Sequence, residues 1–324
     1  MSDNKVSLGL AQAGHQVIVM CMGWALGSFS LLLLWGELFA STRPDWFPIL
    51  ANLLKIGAFL ISAGLCWRNT KEPMMLSGKS VWQAIAVGMA SHALGDITIV
   101  LWRSLWGMNS SVSLANVFYG ASYIFLAIGL LQAVLPRQIS LSGIQTIGIA
   151  ITGVLGIVLA CWLNFQSPNL AASSVAASPG EVTVVGDHHL GDIGVTSAEA
   201  IPAGNDQAPK LIQLVDQRLS RVTDKMGLLY VVGDCVLIVM AVALLIAFWG
   251  GTYSEAWKLV ALAGLCLYVA DMFLIYEVRQ GNYLQGSLWE IFWILSALFF
   301  GLGASVERGV SIAMQQQRPR RRTL

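Results

Sequence analysis

Eight runs of about 20 predominantly apolar residues constrain this chain most, because a helix of that length crosses the hydrocarbon core of a bilayer. They lie near 16–39, 46–67, 81–103, 113–135, 143–164, 228–249, 256–278 and 287–306. Charged residues make up only 11% of the 324 residues, whereas a soluble domain carries about 25%. The sequence therefore predicts an all-α, polytopic membrane protein with eight transmembrane helices in a lipid bilayer.

Composition also excludes several kinds of partner. The formal net charge is +1, and the arginines crowd at the C-terminus instead of forming a basic face, so no nucleic-acid partner is expected. The five cysteines form no CxxC pair, and the adjacent His188 and His189 lack the spacing of a specific metal site. No metal, haem or other cofactor is expected.

The distribution of Lys and Arg predicts that both termini are cytoplasmic, since cytoplasmic loops are enriched in these residues. Short segments on the outer side then hold only Arg43, Arg103 and Arg279. Inner segments hold the larger set: Lys5, Arg68, Lys71, Lys79, Arg137, Lys258, Arg308, Arg318, Arg320, Arg321 and Arg322. The predicted location is the plasma membrane, or another internal membrane, of a bacterium.

Four segments are predicted along the chain. Residues 1–164 form a first membrane repeat with a fifth span, and 228–306 form a second repeat from spans six to eight. Between them, 165–227 is an outer loop rich in Ala, Ser, Gly and Pro that ends in an amphipathic helix. Residues 307–324 are a basic cytoplasmic tail. The basic cluster in this tail favours contact with anionic headgroups or a stop-transfer role.

Two pairs of segments indicate an internal duplication. Residues 81–96 match 256–271, and 113–129 match 287–303, both without a gap. The alignment pairs Asp96 with Asp271 and Trp82 with Trp257, and we interpret both tryptophans as interfacial belt residues. The copies are four spans apart and run in the same direction, which predicts two parallel four-helix repeats. Gly23 and Gly27 form a GxxxG pair, which predicts close contact with another helix.

Charged groups lie within the predicted spans, where an ionised side chain costs roughly 2.5–3.5 kcal/mol. Asp96, Asp234 and Asp271 each follow a small residue and share one depth. The other members of the predicted site are Lys55 as counter-ion, His92 as a group that tunes protonation, and Glu290 and Asn116 nearer the outer face. His92 is four residues before Asp96, so the acid is expected to orient and charge the imidazole. We predict an outward-facing acidic cavity.

Three functions fit such a cavity. The first is a sensory or accessory module that binds a small molecule, a lipid headgroup or a proton, with or without a membrane-protein partner. The second is a proton-coupled small-molecule transporter. The third is a membrane-embedded lipid hydrolase in which paired acids activate water, although a non-enzymatic role is favoured. A purely structural reading stays open, with Lys55 neutralising one acid and a protonated acid holding helices together.

The stretch from 257 to 303, with YVADMFLIY, GNYLQGSLWEIFW and GLGA, resembles the multi-span input segments of bacterial GGDEF and EAL signalling proteins. The resemblance implies a signalling role, and because no output domain follows the last span we expect a free-standing membrane module. SHALGD and VVGD are similar to motifs of lysoplasmalogenase-type hydrolases. The segment after Tyr119 lacks the histidine of that family's next helix, so this likeness is confined to short motifs.

Overall fold

The computed structural model describes residues 2–73, 75–106, 114–134, 143–165, 209–220, 223–247, 254–280 and 282–317. This part of the chain is built from helices and contains no strand. The helices are α1 (Ser2–Leu31), α2 (Phe47–Thr70), α3 (Lys79–Trp106), α4 (Leu114–Val134), α5 (Gly143–Phe165), α6 (Lys210–Ser220), α7 (Thr223–Ala247), α8 (Ser254–Gln280) and α9 (Ile291–Gln317).

Eight of these helices are long and apolar enough to cross a membrane, which confirms the all-α, eight-span prediction. The exception is α6, the helix predicted as amphipathic at the end of the long loop. Most of that loop, including His188 and His189, lies outside the described residues, as does the basic stretch after residue 317. The first span continues beyond α1 as a π-helix, Leu32–Leu38.

Six helices form a closed ring. In order around it, α2 packs against α3, α3 against α4, α4 against α7, α7 against α8, α8 against α9, and α9 against α2. Outside the ring, α1 packs mainly on α9, and α5 packs on α7 and α8. The α2–α3–α4 half and the α7–α8–α9 half therefore occupy corresponding places in the ring.

Trp82 and Trp257 lie inside this ring, so their interpretation as interfacial belt residues is wrong. Their side chains are 0% and 1% exposed, and their ring centroids are 5.9 Å apart. The two indoles fill the space between α3 and α8 and belong to the main hydrophobic core. Their apolar area contributes more when it is buried there than when it faces headgroups.

Two glycines allow neighbouring helices to approach closely. A Cβ at Gly129 of α4 would lie 2.8 Å from Cγ1 of Ile85, and one at Gly303 of α9 would lie 2.8 Å from Cγ2 of Val260. Gly23 and Gly27 differ, because a Cβ at either would meet no atom of the described chain within 4 Å. The close contact predicted for this GxxxG pair is therefore absent within that part of the chain.

Candidate functional site

Two of the three predicted acids meet at one tyrosine. The hydroxyl of Tyr123, on α4, lies 2.9 Å from Oδ1 of Asp234 on α7 and 2.5 Å from Oδ2 of Asp271 on α8. The two carboxyl groups thus share the Tyr123 hydroxyl as a common contact. Asp234 and Tyr123 are buried and Asp271 is half-buried. We call these three residues the acid–tyrosine site.

The third acid, Asp96 of α3, has a cation as its partner. Its Oδ1 lies 3.1 Å from Nζ of Lys55 on α2 and accepts a hydrogen bond from the Tyr119 hydroxyl at 2.7 Å. Lys55 and Asp96 are both buried. An ion pair with a further hydrogen-bond donor is the arrangement that makes buried charges tolerable. We call Lys55, Asp96 and Tyr119 the lysine–acid site.

A glycine directly before the acid makes room for the tyrosine at each site. A Cβ at Gly95 would lie 2.6 Å from Cε1 of Tyr119, and one at Gly233 would lie 2.7 Å from Cδ1 of Tyr123. Because glycine has no side chain, a tyrosine ring of α4 can lie close to the backbone of α3 or α7, and its hydroxyl reaches the carboxyl group of the next residue. This packing explains the Gly-Asp pairs at Asp96 and Asp234.

Trp293 connects the two sites. Its indole Nε1 donates a hydrogen bond to Oδ1 of Asp271 at 2.9 Å, and the Lys55 ammonium lies 4.6 Å from the centroid of the same ring. A cation at that distance from an indole is attracted by the electron density of the ring face. Lys55 therefore lies between Asp96 and the tryptophan bound to Asp271.

His92 does not bond to Asp96 in the described structure, so the expected pairing of imidazole and acid is not formed. The imidazole stacks on Phe59 with centroids 4.0 Å apart and meets Tyr119 edge-on at 4.9 Å. Its Nδ1 is buried without a hydrogen-bond partner among the described residues. Asp96 is instead bound to Lys55 and Tyr119. His92 packs between the aromatic rings of Phe59 and Tyr119.

Asn116 is linked to the acid–tyrosine site through a second tyrosine. The hydroxyl of Tyr230, on α7, lies 3.0 Å from the backbone oxygen of Asn116 and 3.1 Å from its Oδ1. The ring of Tyr230 lies beside that of Tyr123, with centroids 5.7 Å apart. These contacts place Asn116 at the end of α4 and outside the pair of acids.

Glu290 organises the loop before α9 instead of joining the acids. Its Oε1 accepts hydrogen bonds from the Gly286 amide at 2.7 Å and from the Tyr283 hydroxyl at 3.0 Å. Burial and the neighbouring carboxylate raise the pKa of Tyr283 well above its ordinary value, so the phenol keeps its proton and remains a donor. Gly286 has φ +85, a conformation that favours glycine.

Two arginines hold this loop, 282–287, over the end of the ring. The guanidinium of Arg43 donates to the backbone oxygen of Gln285, and Arg103 donates to its Oε1 at 2.7 Å. Burial lowers the pKa of Arg43, an effect that nearby Glu290 opposes. The loop also approaches Gly36, where a Cβ would lie 2.6 Å from the Gly286 oxygen. We call this end of the ring the Gln285 end.

The residues that sequence reasoning missed are Tyr119, Tyr123 and Trp293, the three hydrogen-bond donors to the acids. Tyr119 and Tyr123 are four residues apart and share one face of α4, and the predicted duplication aligns Tyr119 with Trp293. The spacing of the two tyrosines and the alignment of Tyr119 with Trp293 could both be read from the sequence.

Comparisons of this chain with models of known protein families, with curated proteins and with solved structures found no match. Within the described residues, no group of three or more His, Cys, Asp or Glu side chains is placed to hold a metal ion. The functional interpretation therefore rests on the chemistry of the two acid sites.

Proposed function

We propose that this multi-pass membrane protein binds a proton at the acid–tyrosine site and serves as a sensory or accessory module. The observation that carries the proposal is the double contact of the Tyr123 hydroxyl with Asp234 and Asp271. A phenol has one proton, so it makes one full hydrogen bond to a carboxylate, or two weaker ones when the proton is shared. A carboxylic acid that donates to the phenol oxygen gives both short contacts a full hydrogen bond, and we assign one proton to the two acids on this ground.

The charges around the acids also support one proton shared by Asp234 and Asp271. Asp96 is matched by the ammonium of Lys55 at 3.1 Å. Among the described residues, the donors in direct contact with Asp234 and Asp271 are the neutral groups of Tyr123 and Trp293. Two carboxylates side by side in a medium of low dielectric cannot both ionise at ordinary cost. Lys55 attracts Asp271 from a greater distance. One shared proton leaves the acid pair with a single negative charge.

The sensory role follows from which helices the proton connects. Asp234 is on α7, Asp271 on α8 and Tyr123 on α4, so loss of the proton puts two like charges at the junction of three helices. The resemblance of 257–303 to signalling input segments favours the same role. We place the protein in the plasma membrane of a bacterium with both termini cytoplasmic, as the distribution of Lys and Arg predicts.

Infrared difference spectroscopy of the protein in lipid nanodiscs, titrated from acid to alkaline pH, tests the proposal. We expect the carbonyl band of a neutral carboxylic acid that disappears as the pH rises. The band is expected to be lost in Asp271→Asn and in Asp234→Asn, and to shift in Tyr123→Phe.

Asp45→Asn is the matched control, because Asp45 is exposed in the connection before α2. This variant should keep the band of the wild-type protein. A wild-type spectrum without a neutral carboxylic acid that depends on Asp234 or Asp271 would refute the proposal.

Proton-coupled transport is the second candidate, and the position of Lys55 favours it. The ammonium contacts Asp96 and faces Trp293, which is bound to Asp271, so a change of partner by Lys55 would couple protonation to the packing of α2 and α3. In proteoliposomes, a pH gradient should then drive uptake of a solute in the wild-type protein and not in Asp271→Asn. A receptor would bind the proton without any flux.

A further inference from the structure

The two acids that the predicted duplication aligns are bound in the same way. Asp96 on α3 accepts a hydrogen bond from Tyr119 of α4, at 2.7 Å, and Asp271 on α8 accepts one from Trp293 of α9, at 2.9 Å. Tyr119 and Trp293 are themselves aligned in the second pair of segments. Donor and acceptor thus correspond in both halves of the chain.

The contacts of two aligned glycines also correspond in the two halves of the chain. The glycine at the end of the aligned segment in α4, Gly129, faces Ile85 and the backbone oxygen of Val81, the latter at 3.3 Å from a built Cβ. In the other half, Gly303 faces Val260 and the backbone oxygen of Ala256, at 2.9 Å. The alignment pairs Ile85 with Val260 and Val81 with Ala256.

Equivalent residues also meet at the centre of the ring, as they must near a two-fold axis. Trp82 and Trp257 are aligned, and their indoles are in contact. Around them, α2–α3–α4 and α7–α8–α9 follow each other in the same order, with α9 on α2 and α4 on α7 closing the ring. For the six ring helices, this arrangement is the one expected of a pseudo-two-fold axis between α3 and α8, whereas α1 and α5 do not follow it.

Under this symmetry, α2 corresponds to α7, and each contributes one ionisable group to the acid on the next helix. In the first half the group is the ammonium of Lys55, against Asp96. In the second half it is the carboxyl of Asp234, which meets Asp271 at the Tyr123 hydroxyl.

We propose that the lysine–acid site and the acid–tyrosine site are two copies of one cation-binding site. The Lys55 ammonium is a cation tethered to the chain that permanently occupies the first copy. The second copy carries a carboxyl where the first carries the lysine, so its cation comes from solution, and the acid pair takes a proton. This inference rests on the proposed proton binding for the second copy, whereas the first copy is testable by itself.

The charge-swapped variant Lys55→Asp/Asp234→Lys tests the equivalence of the two copies. We expect the double variant to keep the neutral carboxylic acid band. Adding Asp96→Asn should remove this band, and adding Asp271→Asn should leave it unchanged. The wild-type protein shows the opposite dependence. A folded double variant whose band still depends on Asp271, or that has no band, overturns the inference.

Chemical rescue of Lys55→Ala keeps the inference testable if the double variant does not fold. Lys55→Ala is expected to melt at a lower temperature than the wild-type protein, and ethylammonium should restore the melting temperature in a saturable way. Tetramethylammonium at equal ionic strength, which cannot donate a hydrogen bond, should not do so. Asp96→Asn added to Lys55→Ala should abolish the rescue.

The two failures are distinguishable. A folded Lys55→Ala protein that ethylammonium does not stabilise refutes the tethered-cation copy, even where the wild-type band behaves as proposed. A wild-type protein without a band refutes the proton at Asp234 and Asp271, and leaves the ethylammonium result as the test of the first copy.

Discussion

A glycine beside each acid determines which tyrosine the acid meets. At Gly95 and Gly233 a Cβ would collide with the ring of Tyr119 or Tyr123, so the rings lie against the helix backbone beside Asp96 and Asp234. The small residue before each acid is therefore part of the site and not a helix-packing residue alone. A methyl group at this position would move the hydroxyl and leave the carboxylate in place.

Gly233→Ala is expected to destabilise the protein by about 1–3 kcal/mol, because overpacking forces ring and helix apart. The same change should weaken the carboxylic acid band, since Tyr123 no longer lies between the two acids. Thermal unfolding in detergent and infrared titration measure the two effects. Gly64→Ala is the control, because a Cβ at Gly64 of α2 meets no described atom within 4 Å; equal losses in the two variants would contradict the prediction.

One carboxylate at the first turn of the last span accepts hydrogen bonds from two residues of the loop 282–287. Glu290, at the end of the 3-10 turn Leu288–Glu290, receives the Gly286 amide and the Tyr283 hydroxyl. Arg43 and Arg103 bind the same loop from two other elements. A loop held by hydrogen bonds to a buried carboxylate is ordered by charge more than by apolar area.

Glu290→Gln should loosen this loop while leaving the ring intact. Loss of the charge weakens the two hydrogen bonds that Oε1 accepts, at a cost of about 1–3 kcal/mol, and the glutamine NH2 group would replace Oε2, which has no partner among the described residues. We expect faster hydrogen exchange in peptides that cover 282–290 and unchanged exchange in α3. Glu255→Gln, at an exposed ion pair with Lys258, is the control and should leave exchange in 282–290 unchanged.

At the scale of the whole molecule, the ring brings acid-bearing helices together from distant parts of the chain. At the end opposite the Gln285 end, Glu72 accepts hydrogen bonds from Arg308, and Ser77 binds Glu307 through its backbone amide at 3.0 Å. The two ends of the ring are therefore held by separate polar contacts. The distribution of Lys and Arg predicts that the Gln285 end faces outward.

Labelling of one added cysteine at a time tests this orientation. Asp45 lies at the Gln285 end and Lys71 at the opposite end, and both side chains are exposed. Asp45→Cys should react with a membrane-impermeant maleimide in intact cells, and Lys71→Cys only after permeabilisation, each compared with the wild-type protein as the background control. The reverse pattern would place both termini outside.

Hydrophobic length is a local property, so the sequence alone determined the eight spans, the amphipathic α6 and the presence of ionisable groups at membrane depth. It also aligned Asp96 with Asp271. Which groups meet was decided by tertiary structure, because the rotation of each helix about its axis depends on packing against its neighbours at positions such as Gly95, Gly233 and Trp82. Three acids at one depth thus separated into a pair joined by Tyr123 and a single acid joined to Lys55.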